Sequence, residues 1–416
     1  MTTAREPLDL DRVRRLFDLS SSYNAYTGGG YRDDPYLVWN RLRDEAPVHK
    51  GTLHDLSGAG VDLFFHGLPY KEREHFTVFD WATCDEIYRN PARFASSAEP
   101  VDIEGGAVSV TNSMLSMGGS EHRRYRSLVQ PSFSPAKANW WITNWISQTV
   151  HGLIDCFEQE GRAELNTEFC AAIPVLTITG SFGVAVEQAL DIRESLLQPQ
   201  QIVDILTPII AARRKDPQDD LISILVEATM TDEDGVTHRL TDAEIHSFAV
   251  LLLAAGSGTT WKQMGIALAA LLERPDALEA VRQDRQLLRS AIEESVRWMP
   301  TDPMFSRFVT EDCEIHGVHI PAGSVVHICL GAANRDPSRW TAPDTYDIFR
   351  PLKPTLAFGS GPHVCLGQHV ARAEMSVAIS TILDRLPNLR LDPDAERPQY
   401  LGFYERGATA LPVVFG

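Results

Sequence analysis

Apolar residues recur at helical spacing through most of the chain, and alternating stretches are short and few. The segment Asp34-Pro35-Tyr36-Leu37-Val38-Trp39-Asn40-Arg41-Leu42-Arg43 predicts an amphipathic helix, after a turn-rich and loosely organised stretch over residues 1–30. A glycine-rich, hairpin-like stretch then leads to a candidate strand around His75–Phe79, and Asp80 is placed to cap a helix over Trp81–Arg89. Residues 95–118 are polar and rich in Gly and Ser, the composition of a long loop, and long loops in compact domains are commonly functional. A helix begins at Ser120, and from Trp140 to Gly183 the pattern is helical and increasingly apolar. Between Gly183 and Arg213 stand 31 residues interrupted by Pro199. Two average helices of about 11–12 residues with a connection of about 4–6 barely fit, so trimmed or poorly ordered helices are expected there. Thr241-Asp242-Ala243-Glu244 reads as a capping box opening the longest helix, which Arg274-Pro275 stops after Leu272. At 1.5 Å per residue it spans about 48 Å, and its middle, Phe248 to Ala255, is apolar on all sides and so expected to be buried. Another helix covers Leu287–Trp298, residues 299–333 read as short strands and turns, and Pro398–Tyr404 as a terminal hairpin. No repeat or low-complexity linker divides the chain. The pattern predicts one continuous domain over 1–416, mainly α, with β-rich parts within about 35–80 and 300–330 and a helical core over about 81–298 and 331–390.

Charge narrows the partners. With 38 basic and 56 acidic residues the net charge is −18, which argues against nucleic acid, because phosphate binding needs a basic footprint. The stretch Met1–Asp9 carries neither an apolar signal core nor a spanning run, the pattern of a soluble cytoplasmic protein. Six cysteines are scattered without pairing motifs, as expected in a reducing compartment. Five of them read as small core hydrophobes.

The sixth, Cys365, lies in Phe358-Gly359-Ser360-Gly361-Pro362-His363-Val364-Cys365-Leu366-Gly367, directly before a strong helix pattern. Unpaired N–H groups and the positive helix end favour an anion there, lowering the thiol pKa and making a thiolate ligand plausible. The glycines permit φ > 0 or close approach of a large flat group. A buried core cysteine leaves the glycines unexplained, and a zinc site from His363, Cys365 and His369 lacks paired-cysteine spacing. A second unusual stretch is Ala254-Ala255-Gly256-Ser257-Gly258-Thr259-Thr260, in the middle of the longest helix. Two interior glycines cost roughly 1 kcal/mol each. They invite either a local opening of the helix or close packing through small residues. His122 and Arg126 share one helix face, as do Glu294 and Arg297.

The cysteine loop reads Phe-Gly-x-Gly-x-His-x-Cys-x-Gly, ten positions with six fixed identities, and resembles the haem-ligand loop of the cytochrome P450 family, soluble bacterial type. The resemblance extends through six ordered motifs over roughly residues 120–415. It implies the cytochrome P450 fold, haem b with Cys365 as axial thiolate to iron, and insertion of one atom of dioxygen into an organic substrate. It further implies that Phe358, Gly359, Gly361, His363, Gly367 and Ala255 surround the haem, and that His122, Arg126 and Arg307 bind its propionates. Thr259 matches the alcohol of the oxygen-activation motif, but Gly258 stands where the family has an acid. Proton delivery by a positioned group is worth ~10²–10⁴ in rate, so Thr259, Ser257 or water is expected to carry protons instead. Glu294, Arg297 and Arg350 match a buried structural triad. Val110, Leu251, Ala254, Ala255, Met304, Phe305 and Phe403 are expected to line a pocket for a small lipophilic substrate, covered by a trimmed lid over 183–213. Electrons are expected from a ferredoxin and its flavin-containing reductase, docked on a monomer with no membrane anchor near Arg123, Arg124 and Arg372. Two alternatives are a peroxide-driven haem-thiolate enzyme, encouraged by the missing acid, and a non-catalytic haem-binding protein.

Overall fold

The computed structural model describes residues 9–59, 72–231 and 235–416. The hairpin-like stretch expected before His75 lies mostly outside these residues. Thirty-one residues, Asp242–Leu272, form one continuous helix, and nearly every side chain on it is buried. Its start follows from the capping box: Glu244 N–H donates to Thr241 Oγ1 at 3.2 Å, and Thr241 N–H to Glu244 Oε2 at 2.8 Å. The elements that position the site are arranged around it.

In chain order these are helix α1 (Leu10–Phe17), strands β1 (Val48–Lys50), β2 (His75–Val78) and β3 (Phe94–Ala95), and helices α2 (Gly119–Val129), α3 (Ala172–Ser181), α4 (Ala189–Glu194), α5 (Pro199–Arg213), α6 (the central helix, Asp242–Leu272) and α7 (Leu287–Trp298). Strands β4 (Met304–Val309) and β5 (Val325–Cys329) and helix α8 (Gln368–Arg385) follow. The five strands form one sheet in the order β1-β2-β5-β4-β3, with β5 parallel to β2 and antiparallel to β4. The two β-rich parts expected from the sequence are thus joined in a single sheet. Helices α3, α7 and α8 pack on α6. The helix Trp81–Arg89 forms with Asp80 Oδ1 accepting from Thr83 N–H at 2.9 Å.

Three expectations are corrected. The start of the chain is structured: Asp9 caps α1, whose Val13, Leu16 and Phe17 are buried, and Phe17 meets Trp261 of α6 edge-on at 5.4 Å. The helical run over 140–183 is broken, because Gly161 turns at φ +67° and Arg162–Glu164 pairs with the C-terminal strand Pro412–Val414. The short segment 183–213 forms two helices, the first only six residues long. Shortening, not loss of helix, is how the chain fits this span, and Arg12 of α1 holds α4 through Asp191 at 2.7 Å.

Helix α8 carries a buried acid, Glu374, facing Thr177 of α3. Burial pushes its carboxyl up to about 8, with the Thr177 hydroxyl pulling back. The unfolded chain releases this proton near pH 4.5 and the folded one only near 8, so the stability this group contributes is fully present below the first value, falls as pH rises between them and is gone above the second. The loss is at most about 1.4 kcal/mol per pH unit. Glu374→Gln is expected to remove this slope, measured as the difference in denaturation midpoint between variant and parent from acid to neutral pH.

Candidate active site

The loop before α8 is held by its own backbone. Cys365 N–H donates to the Phe358 carbonyl at 2.7 Å, and Gly359 N–H to the Leu356 carbonyl at 2.8 Å. Gly359 and Gly361 take φ of +71° and +69°, which a side chain would strain. At Gly361 a Cβ would also stand 2.4 Å from the Tyr88 carbonyl oxygen, so this glycine lets the loop lie against the helix Trp81–Arg89. Gly367 faces open space. Four cysteines are buried and Cys365 is exposed; Cys156 is exposed as well, correcting its reading as a core residue. The protein around Cys365 raises its thiol by desolvation, outweighing the pull from Gly367 N–H, Arg126 and Arg372. The expected lowering by the helix start is therefore not the net result for the free thiol.

Basic side chains gather beside this loop. Arg126 Nη2 donates to the Val364 carbonyl at 2.7 Å, and Arg307 Nη1 to the Ser306 carbonyl at 2.8 Å, its guanidinium over the Tyr88 ring. Burial lowers both guanidiniums, and among the described residues neither forms an ion pair. His122 is buried and stacked on His363 with ring centroids 3.9 Å apart. Burial, then neighbouring positive or imidazole groups, brings His122 down to about 4 and His363 to about 3, so both are neutral near pH 7. His363 Nε2 lies 3.0 Å from Ser96 Oγ, and the ring faces His122 and Ser96 in this cluster. Cations held out of water without a counter-charge are costly. An anionic group lying over the loop removes that cost. A soft sulfur donor, a glycine-lined surface and two uncompensated guanidiniums fit haem with its two carboxylates.

The central helix opens on one side at its middle. Ala255 is exposed and Thr259, one turn on, partly so, while residues 251–254, 257 and 258 are buried. Thr259 Oγ1 sits 3.4 Å from the Ala255 carbonyl and the helix runs unbroken, so no local opening of the backbone forms. Gly256 instead serves close packing: a Cβ there would come within 3.0 Å of Ile178 on α3. Ser257 is fully buried, 3.5 Å from the Ala254 carbonyl, and faces away from Ala255, which removes it from the proposed proton path. Gly258 is also turned inward, toward Arg193 and Tyr23.

The pocket residues divide. Val110 and Phe305 are half-buried and Leu251 and Ala254 nearly buried. Met304 is fully buried in the main core, because β4 turns Met304, Ser306 and Phe308 to one face and Phe305 and Arg307 to the other. Phe403 is fully buried between Tyr31, Trp39 and Tyr404 and does not enter a pocket. Three further residues escaped the sequence reading: Arg193, Asp302 and Glu405. All are ionisable and lie in or beside the core, and nothing local to their positions announces that.

Glu294, Arg297 and Arg350 come together as expected. Glu294 receives Arg297 Nε and Nη2, each at 2.7 Å, and Arg350 Nε at 3.1 Å. Arg372 is not a free docking cation, since it pairs with Glu293 and lies over the Phe358 ring at 4.3 Å. Arg123 is exposed. No helix among the described residues is long and apolar enough to cross a membrane.

Comparison with known proteins gives the family of the chain. Residues 191–400 match the family model Cytochrome P450. The chain is 32% identical to the biotin biosynthesis cytochrome P450 of Bacillus subtilis, covering 92% of this chain and 96% of that one. It is 31% identical to the cytochrome P450 monooxygenase PikC of Streptomyces venezuelae, covering 93% and 92%. Among solved structures, P450BioI in complex with an acyl carrier protein ligated to hexadec-9Z-enoic acid superimposes with a TM-score of 0.76 at 29% identity, over 92% of this chain and 99% of that one. CYP109E1 from Bacillus megaterium in complex with testosterone gives 0.78 at 25%, over 92% and 100%.

Proposed function

This chain belongs to the cytochrome P450 family and is a haem-dependent monooxygenase, and we propose that it oxidises a small lipophilic molecule with electrons from a ferredoxin and its flavin reductase. The observation that carries the site assignment is the exposed Cys365 beside two half-buried guanidiniums that form no ion pair among the described residues. Haem bound through a thiolate supplies dioxygen activation and oxygen transfer. Cys365 is the thiolate, and its backbone bond to Phe358 holds the sulfur in place. Arg126 and Arg307 would hold the propionates through their planar forks, beside the stacked, neutral His122–His363 pair. Gly359, Gly361 and Gly367 let the loop approach the ring closely. Ala255 and Thr259, the accessible residues at the middle of the central helix, would offer a small and a hydroxyl side chain to the bound group, with Val110 and Phe305 as half-buried apolar candidates for the substrate. The neighbours bound to testosterone and to a fatty acyl chain favour a lipophilic substrate class. Arg123 remains as a local positive point for an acidic ferredoxin, and the six free cysteines suit the cytoplasm.

Glycine at 258 favours one second reading, turnover driven by hydrogen peroxide. The haem-loaded protein, given a ligand found by its spin-state shift, is expected to form oxygenated product with reduced ferredoxin and dioxygen. Product with peroxide alone, and none with reduced ferredoxin, selects the second reading.

A further inference from the structure

Arg193, on α4, is 2% exposed, and its guanidinium points at Gly258 of the central helix. A Cβ on Gly258 would meet Arg193 Nη1 first, at 3.6 Å, and then the Tyr23 ring at 3.7 Å. Nη2 donates to Asn24 Oδ1 at 2.9 Å, and the rings of Phe17 and Tyr23 lie with their centres 4.7 and 5.1 Å from the guanidinium carbon. Among the described residues Nη1 has no hydrogen-bond partner and Arg193 forms no ion pair. Glu405, a carboxylate whose charge reaches it, is already paired with Lys262 and accepts from Tyr23 Oη at 3.3 Å. A guanidinium keeps its charge in a protein and only donates. Burying that charge with a donor unused is costly, and a carboxylate at Nη1 would remove the cost.

The accessible part of the helix is one turn away. Ala255 is exposed and Gly258 lies three residues on, so the two are neighbours on the helix surface, within a rise of about 5.4 Å. Ala254 stands four residues before Gly258 on the same side. The helix therefore contributes nothing larger than a methyl group between its accessible face and Nη1. Packing explains Gly256, where a Cβ would come within 3.0 Å of Ile178. It does not explain Gly258, where the nearest atom stands at an ordinary contact distance and a glycine only weakens the helix.

We propose that Gly258 and Arg193 form a carboxylate subsite of the cleft, and that the substrate is a lipophilic carboxylic acid whose carboxylate accepts from Arg193 Nη1. This names the substrate class of the monooxygenase reading and rests on it. The acid end lies beside Gly258 and the apolar body against Ala255, so Arg193 is a substrate-binding residue and Gly258 is the opening that admits the carboxylate.

The test measures binding to the haem-loaded protein through the spin-state shift. The probes are dodecanoic, biphenylacetic and cyclohexylacetic acid, each set against its methyl ester. In the parent at least one acid should bind about 10- to 100-fold more tightly than its ester, the size of a charge-assisted hydrogen bond. In Gly258→Asp the new carboxylate reaches Nη1 from within the chain, and that preference should vanish. No acid preferred over its ester in the parent, or the preference kept in Gly258→Asp, overturns the proposal. The parent's three pairs decide alone should the variant not fold. Acetate that raises the parent's denaturation midpoint, with no acid preferred over its ester, makes this a site for a small free acid and overturns the substrate assignment. A preferred acid that yields no product with reduced ferredoxin and dioxygen defeats the monooxygenase reading instead, and the subsite stands.

Discussion

Cys365→Ala is expected to abolish both the strongly red-shifted absorption that the reduced, carbon monoxide-treated protein gives and all oxygenase activity, while the chain stays folded. The side chain is exposed and its backbone bond to Phe358 survives the substitution, so the fold should lose no more than about 0.5 kcal/mol apart from the contribution of haem binding. None of the other cysteines can take over: four are buried, and Cys156 is at a surface site away from the loop. The measurement is the difference spectrum alongside circular dichroism. A red-shifted band retained by the alanine variant would remove Cys365 as the ligand and, with it, the site described above.

Glu294→Ala should be the most damaging change outside the haem ligand. Arg297 spends its guanidinium on Glu294 and on the carbonyls of Asn334, Pro343 and Thr345, and Arg350 approaches the same carboxylate. Glu294 Oε1 also accepts from Asp347 N–H at 2.9 Å, so one carboxylate ties α7 to the irregular segment before the cysteine loop. Its removal leaves two arginines in or at the edge of the core without their counter-ion, a loss of about 3–5 kcal/mol. Against a total stability of about 5–15 kcal/mol that is a large share. The surface pair Arg41–Glu45, with side chains 59% and 50% exposed, is the control, and breaking it should cost under about 1 kcal/mol. Denaturant titration of the haem-loaded proteins measures both. Equal losses at the two sites would show that Glu294 does not brace the core.

Much of the molecule was legible in the order of residues. Thr241 and Glu244 mark the start of the central helix because a capping box is closed within four residues, and Asp80 marks the start of Trp81–Arg89 through a side-chain cap of the same short reach. The cysteine loop was legible because its glycines answer to local backbone geometry at Gly359 and Gly361. Glu294 and Arg297 lie one helical turn apart, so their pairing needed only the helix.

What tertiary structure alone decided concerns side chains whose partners lie far along the chain. Met304 and Phe305 differ only in parity on β4, and the pairing of β4 with β5 and β3 sets which one the core takes. Phe403 has the composition of a pocket residue but belongs to an aromatic cluster with Tyr31 and Trp39. Arg193 meets Asn24 across 169 positions, Lys262 meets Glu405 across 143, and Thr301 meets Gln263 across 38, separations that no periodicity records. Capping and turn geometry are short-range forces and leave their mark in neighbouring residues. The environment of a buried charge is a long-range property, fixed only when distant segments exclude water around it together.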